Sequence, residues 1–169
     1  MINMKESLKP NTTLAPIPAV MVSCGDMESA NIITVAWTGV LNSEPPLVYV
    51  SIRPSRHSYN IIKQTKEFVI NIPDEKLVWQ VDYCGTKSGK EVDKFKEANL
   101  TKETSKNIKA PSIKECPISL ECKVKEIKEL GSHHMFIGEV VGVNANKEII
   151  ENGKINLGKA NLITYLGNE

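Results

Sequence analysis

NIITVAWTGVLNSEPPLVYVSIRPSRHSYNII, Asn31 to Ile62, is the stretch on which the reading of this chain turns. Ile32 to Leu41 is rich in β-branched residues and strand formers and reads as one strand. NSEPP follows as a loop with paired prolines, and Leu47 to Ile52 (LVYVSI) as the next strand. The chain then changes character. RPSRHSYN sets Arg53, Arg56 and His57 among hydroxyls where a strand gives way to a helix, with Ser55 the predicted N-cap. A helix N-terminus offers free backbone N–H groups and the positive end of a dipole, so cations and hydroxyls gathered there suit an anion such as a phosphate. Ser58 is the first candidate contact, with Arg56 and His57 beside it and Arg53 on the end of the strand. On chemistry alone, a plain cap with solvated first-turn residues stays open as the other reading.

Working outward, Ala19 to Cys24 (AVMVSC) reads as a strand and GDMESAN as a turn, while Phe68 to Ile72 (FVINI) follows the helix. DEKLVWQVDYCG predicts a short helix over Glu75 to Tyr83, capped by an aspartate and stopped at Gly85. TKSGK is a loop, and Glu91 to Ala98 a second short helix. Ile118 to Ile127 alternates apolar and charged residues, as a strand with one wet face does. HHMFIGEVVGVNA turns back antiparallel after Leu130-Gly131, and Lys159 to Leu166 supplies a last apolar segment. Six or seven strands with a few short helices predict a mainly β fold, a barrel with helical insertions.

At 169 residues the chain is expected to form a single domain over 1–169, with residues 1–17 as an N-terminal arm. A net charge of +1 supplies no global field for nucleic acid, and three Phe, four Tyr and two Trp are poor stacking resources for that role. No apolar run approaches the roughly 20 residues that span a bilayer, and MINMKESLKP lacks the apolar core of a signal peptide. Cys24, Cys84, Cys116 and Cys122 show no CxxC spacing, so reduced thiols in the cytoplasm are expected, and no metal site.

Four segments, in order and spacing, resemble the flavin reductase-like family, the FMN-binding split β-barrel group, and most closely its flavoredoxin branch. They are NIITVAWTGVLNSEPPLVYVSIRP, SRHSYNIIKQTKEFVINIP, SGKEVDKF and GSHHMFIGEV, which together span most of residues 18 to 166. The resemblance implies an FMN whose phosphate rests at the RPSRHSYN helix and whose ring lies along Thr34, Ala36, Trp37 and Thr38. Asn31 or Thr34 adds side-chain bonds, and Trp37 either stacks on the flavin or fills core. Ser51, on the following strand, joins the set. Lys94, matching the Asp-Lys-Phe element, is preferred for extending the positive cradle, and Lys90 is a weaker second.

His133 falls where relatives carry the histidine of a Gly-Asp-His motif, making it the candidate catalytic residue, though Ser132 replaces the aspartate. His134 is read as peripheral, and Tyr165 as close to the flavin. The implied activity is an FMN oxidoreductase that accepts hydride from NADH or NADPH and passes reducing equivalents to flavin or a protein. The alternative is a flavoredoxin-type electron carrier with tightly bound FMN, exchanging electrons with redox proteins. The resemblance also implies a homodimer with FMN at the subunit boundary, and the arm Lys5 to Pro18 is a candidate cover for the site.

Overall fold

The structure, a computed structural model, describes residues 5–167. Ile17–Pro18 forms β1, Val20–Cys24 β2, Asn31–Val35 β3, Thr38–Asn42 β4 and Leu47–Ile52 β5. Helix α1 (His57–Thr65) leads into β6 (Glu67–Ile72), a 3₁₀ turn at Glu75–Leu77 opens α2 (Val78–Thr86), and α3 is Lys94–Glu97. Short β7 (Lys102–Glu103) and β8 (Ser112–Ile113) precede the long hairpin of β9 (Ile118–Glu129) and β10 (His134–Ala145). Three short strands follow: β11 (Ile150–Glu151), β12 (Lys154–Ile155) and β13 (Thr164–Tyr165).

Seven strands form one antiparallel sheet in the order β3-β2-β6-β9-β10-β5-β4. Its two end strands, β3 and β4, are consecutive in the chain and separated only by Ala36 and Trp37. A sheet whose ends are joined by so short a link has to curl until they meet, so it becomes a barrel with a seam at Ala36-Trp37. The expected single strand over Ile32 to Leu41 is therefore two. One straight strand cannot serve both edges, and the chain kinks at the seam, where the Ser51 N–H donates to the Trp37 carbonyl (2.9 Å).

The barrel interior is packed by Val20, Val22, Ile33, Val35, Val50 and Phe136, and α1 closes one end with Tyr59 and Ile62. On the outer face of β2 and β3, Met21 and Ile32 pack with Leu77, Val81, Cys84 and Phe95 of the helical insertion. Both faces of β2 are thus covered, which explains the unbroken burial of VMVSC. Each such side chain contributes on the order of 1.5–3 kcal/mol on burial. Glu121, wholly buried, accepts bonds from the Lys106 and Asn107 backbone N–H groups and from the amides of Asn107 and Asn144 at 2.8–2.9 Å. Those bonds pin the crossing segment onto the sheet.

Three helix boundaries differ from expectation. The N-cap of α1 is Arg56, not Ser55, because Arg53 to Arg56 forms a turn closed by the Arg56 N–H on the Arg53 carbonyl (3.0 Å). Helix α2 runs through Gly85 to Thr86 instead of stopping at the glycine. Gly85 serves packing there, since a Cβ would lie 3.3 Å from the Thr34 Cβ. Helix α3 is confined to Lys94–Glu97 because Asp93 caps it, its carboxylate accepting from the Lys96 N–H.

Candidate functional site

Barrel closure brings the start of α1 against β3, and α2 with its following loop against both. Between them is a cavity of about 110 Å³ walled by Asn31, Ser55 to Ser58, Gly85, Lys87 to Gly89 and Lys94. Ser58, the second helical residue of α1, is 1% exposed, and its hydroxyl accepts from the Asn31 amide nitrogen (2.7 Å). Gly89 lies directly on Asn31: a Cβ there would come within 2.1 Å of the Asn31 Oδ1, so a side chain at 89 would displace that amide.

Lys94 is the decisive group. It is 4% exposed, and its ammonium donates to the Cys84 carbonyl (2.6 Å). Among the described residues it forms no ion pair, and no carboxylate lines the cavity. Burial lowers its pKa, and the nearby Arg56 guanidinium pushes in the same direction. An ammonium this buried is rarely kept without a partner. Two of its three donors remain for an anion. With the N-terminal residues of a nine-residue helix among its walls, the cavity suits a compact anion.

A second cavity, about 310 Å³, adjoins the first along Ile33 and Arg56. It collects Thr34, Ala36, Trp37, Ser51, Arg53, His133 and Tyr165, residues drawn from both sides of the seam, the β9–β10 turn and β13. Trp37, 40% exposed, packs its ring against His133 with centroids 4.3 Å apart. The His133 imidazole is held by the Ser132 hydroxyl at Nδ1 (3.0 Å), so the serine orients the ring. Burial first, then Arg53 and Arg56, lowers the His133 pKa and keeps the ring neutral at neutral pH. The pocket therefore pairs a flat indole and a neutral imidazole with guanidinium charge.

Twelve of the sequence-selected positions thus converge on the two cavities. Two stand apart. Thr38 spends its hydroxyl on the Tyr49 carbonyl (2.6 Å), and Lys90 is exposed on a neighbouring depression beside Asp93. His134 lines neither cavity and bonds the Tyr59 hydroxyl through Nδ1 (2.7 Å). The arm does not cover the site either. Residues 5–16 are exposed, and β1 instead pairs with β13 beside Tyr165. Lys87, Ser88 and Gly89 escaped the sequence reading, although a Ser-Gly turn between two lysines directly after a helix was the available signal.

The geometry has clear counterparts. A family profile described as the flavin reductase like domain matches residues 13–160. The chain belongs to the flavin reductase-like family. Its curled seven-stranded sheet is that family's split barrel, mostly β with short helices. Flavoredoxin of Desulfovibrio vulgaris (Miyazaki F) is 32% identical and superposes with a TM-score of 0.91, covering 98% of this chain and 90% of that one. Flavoredoxin from Methanosarcina acetivorans gives 27% identity and a TM-score of 0.87, over 97% and 88% of the respective chains. An uncharacterized protein of Pyrococcus abyssi is 35% identical over 153 residues, 90% of this chain and 87% of that one. As a flavin reductase-like protein the chain has a flavin-binding fold, and the described residues include no helix long and apolar enough to cross a membrane.

Proposed function

We propose that the chain binds FMN, with the phosphate in the cradle of Ser58, Arg56, His57 and Lys94 and the ring in the cavity beside Trp37, Arg53 and His133. The observation that carries this is the buried, unpaired Lys94 ammonium facing a carboxylate-free cavity at a helix N-terminus. FMN, when bound, supplies the two-electron chemistry. The chain supplies position and electrostatics: Arg53 places a positive charge beside the ring pocket, neutral His133 offers Nε2 as a proton-bearing or accepting atom, and Trp37 shields one side from water.

The reaction proposed is oxidoreduction, with NADH or NADPH as donor and flavin or a protein as acceptor. A flavoredoxin-type electron carrier, exchanging electrons with redox proteins, is the second reading; Ser132 in place of an aspartate and the 32% identity to a flavoredoxin favour it. The visible spectrum of the purified protein and stopped-flow mixing with each nicotinamide distinguish the two. Bleaching by either supports the reductase, bleaching by neither supports the carrier, and an absence of FMN binding removes both.

The chain is further proposed to act as one domain over 1–169 and as a homodimer. Support for the dimer comes from seam residue Trp37 and edge-strand residue Val40, 40% and 80% exposed, an apolar edge suited to a second copy. Four free, buried cysteines support a reducing, cytoplasmic setting.

A further inference from the structure

A third cavity, about 360 Å³, lies at the foot of the β9–β10 hairpin and shares no lining residue with the other two. Its volume is that of a small-molecule site, typically about 300–1,000 Å³. The crossing segment supplies Glu103, Lys106, Ser112 and Cys116, the end of β10 supplies Asn144, and Lys147 follows just beyond. Hydrogen bonds fix these walls. The Lys106 N–H and the Asn144 amide nitrogen both donate to the buried Glu121 carboxylate (2.9 and 2.8 Å). The Asn146 N–H donates to the Pro117 carbonyl (2.9 Å), and Glu103 of β7 pairs in register with Ser112 of β8. The charges on this frame are unmatched. Glu103, Lys106 and Lys147 are exposed and line one cavity, yet none of them forms an ion pair with another or with any described residue.

We infer that this cavity binds a zwitterion, a free α-amino acid with a small uncharged side chain, bridging the Glu103 carboxylate and the ammonium groups of Lys106 and Lys147. Charge selects the class. Opposite charges that face one cavity without closing on each other leave a gap that a molecule carrying both signs can span. A plain anion would meet Glu103 and the nearby Glu121, and a plain cation would meet two lysines. A zwitterion gains a charge-assisted bond at each end. Asn144 adds a directed acceptor: its nitrogen is committed to Glu121, and its Oδ1 has no partner among the described residues, which suits an ammonium. The remaining walls select the side chain. Cys116 is 5% exposed, and burial first, then Glu115 and Asp74, pushes its thiol pKa up, so it presents a neutral surface. Pro117 and Ala145 are apolar, and Ser112 and Ser119 carry hydroxyls. Such walls accept a methyl or a hydroxyl and leave a third charge without a partner.

The experiment is calorimetric titration of the full chain, with and without FMN, against three probes. They are L-threonine, 3-hydroxybutanoate, which lacks its ammonium, and 1-amino-2-propanol, which lacks its carboxylate. L-Threonine should bind about tenfold more tightly than either relative, and its affinity should change by no more than about twofold when FMN is present. Glu103→Gln and Lys147→Met, both at exposed positions outside the bonds that fix the walls, should each weaken L-threonine about fivefold. The glutamine variant should also lose most of the preference for L-threonine over 3-hydroxybutanoate. The inference is overturned if wild-type protein ignores L-threonine, or if either relative binds as tightly, which would assign the cavity to a simple ion. L-Threonine binding that is unchanged in either variant would overturn it as well, by placing the amino acid elsewhere. Wild-type protein that binds L-threonine in this pattern yet takes no FMN keeps the site and removes the flavin reading alone.

Discussion

Replacing Lys94 by methionine removes the buried ammonium while keeping most of its volume. In the ligand-free protein that charge is a burden: it is 4% exposed, has one carbonyl partner at 2.6 Å, and has its pKa lowered chiefly by burial. Lys94→Met should therefore leave the thermal midpoint of the apo protein unchanged or raised. With a phosphate in the cradle the sign reverses. A charge-assisted bond to a charged partner contributes roughly 1.5–3 kcal/mol, which corresponds to a loss of FMN affinity of about 10- to 150-fold. Riboflavin carries the same ring without the phosphate, so its affinity should move by no more than about twofold. Flavin fluorescence quenching measures both dissociation constants under identical conditions. Equal losses for FMN and riboflavin would place Lys94 at the ring, and an unchanged FMN constant would place the phosphate elsewhere. Either result refutes the assignment of the cradle.

Ser58→Ala should cost about 1 kcal/mol of FMN affinity, roughly fivefold, and spare riboflavin, because it removes a hydroxyl from the cradle and the acceptor of the Asn31 amide. His133→Gln tests the neutral imidazole through stability against pH. The unfolded chain protonates His133 near its ordinary value of roughly 6.5, and the folded chain only at lower pH. As pH falls through that window the unfolded state binds more protons and wild-type stability declines. The glutamine variant should show a shallower fall in thermal midpoint between about pH 7 and 5, and parallel curves would contradict the lowered pKa. Glu121→Ala should destabilise by about 3 kcal/mol or more in urea titration, since bonds to a charged acceptor contribute roughly 1.5–3 kcal/mol each without adding fully. A loss below about 1 kcal/mol would mean that the crossing segment holds without it.

The convergence of Arg56, His57 and Ser58 on the first cavity was legible because their placement is local. Arg56, His57 and Ser58 are successive residues, and one helix start orients their backbone whatever the rest of the chain does. The same locality misled on the cap: Ser55 has the preferred side chain, yet the turn from Arg53 moves the first helical residue to His57. Gly85 shows the opposite limit. As a helix terminator it has a local rationale, but the contact that governs it comes from Thr34, far away in sequence. Lys94 could be chosen only by resemblance, since a lysine between an aspartate and a phenylalanine reads as solvated. Its burial follows from Phe95 anchoring in the insertion core beside it.

The second cavity was legible only in part, and the seam explains why. Asn31–Val35 and Thr38–Asn42 look like one β-branched run because each half satisfies the same local preferences. That they occupy opposite ends of a seven-stranded sheet depends on pairings with β2 and β5, which local pattern does not encode. Closing the sheet then forces a two-residue gap where the ladder is interrupted, and this gap exposes Trp37 and gathers His133, Arg53 and Tyr165 around it. A flat redox ring needs backbone groups and apolar surface together at an accessible edge, which an intact ladder cannot offer. The break that makes the barrel possible is thus also what opens the second cavity, the place proposed for the ring, and shortening the Ala36-Trp37 link should remove both at once.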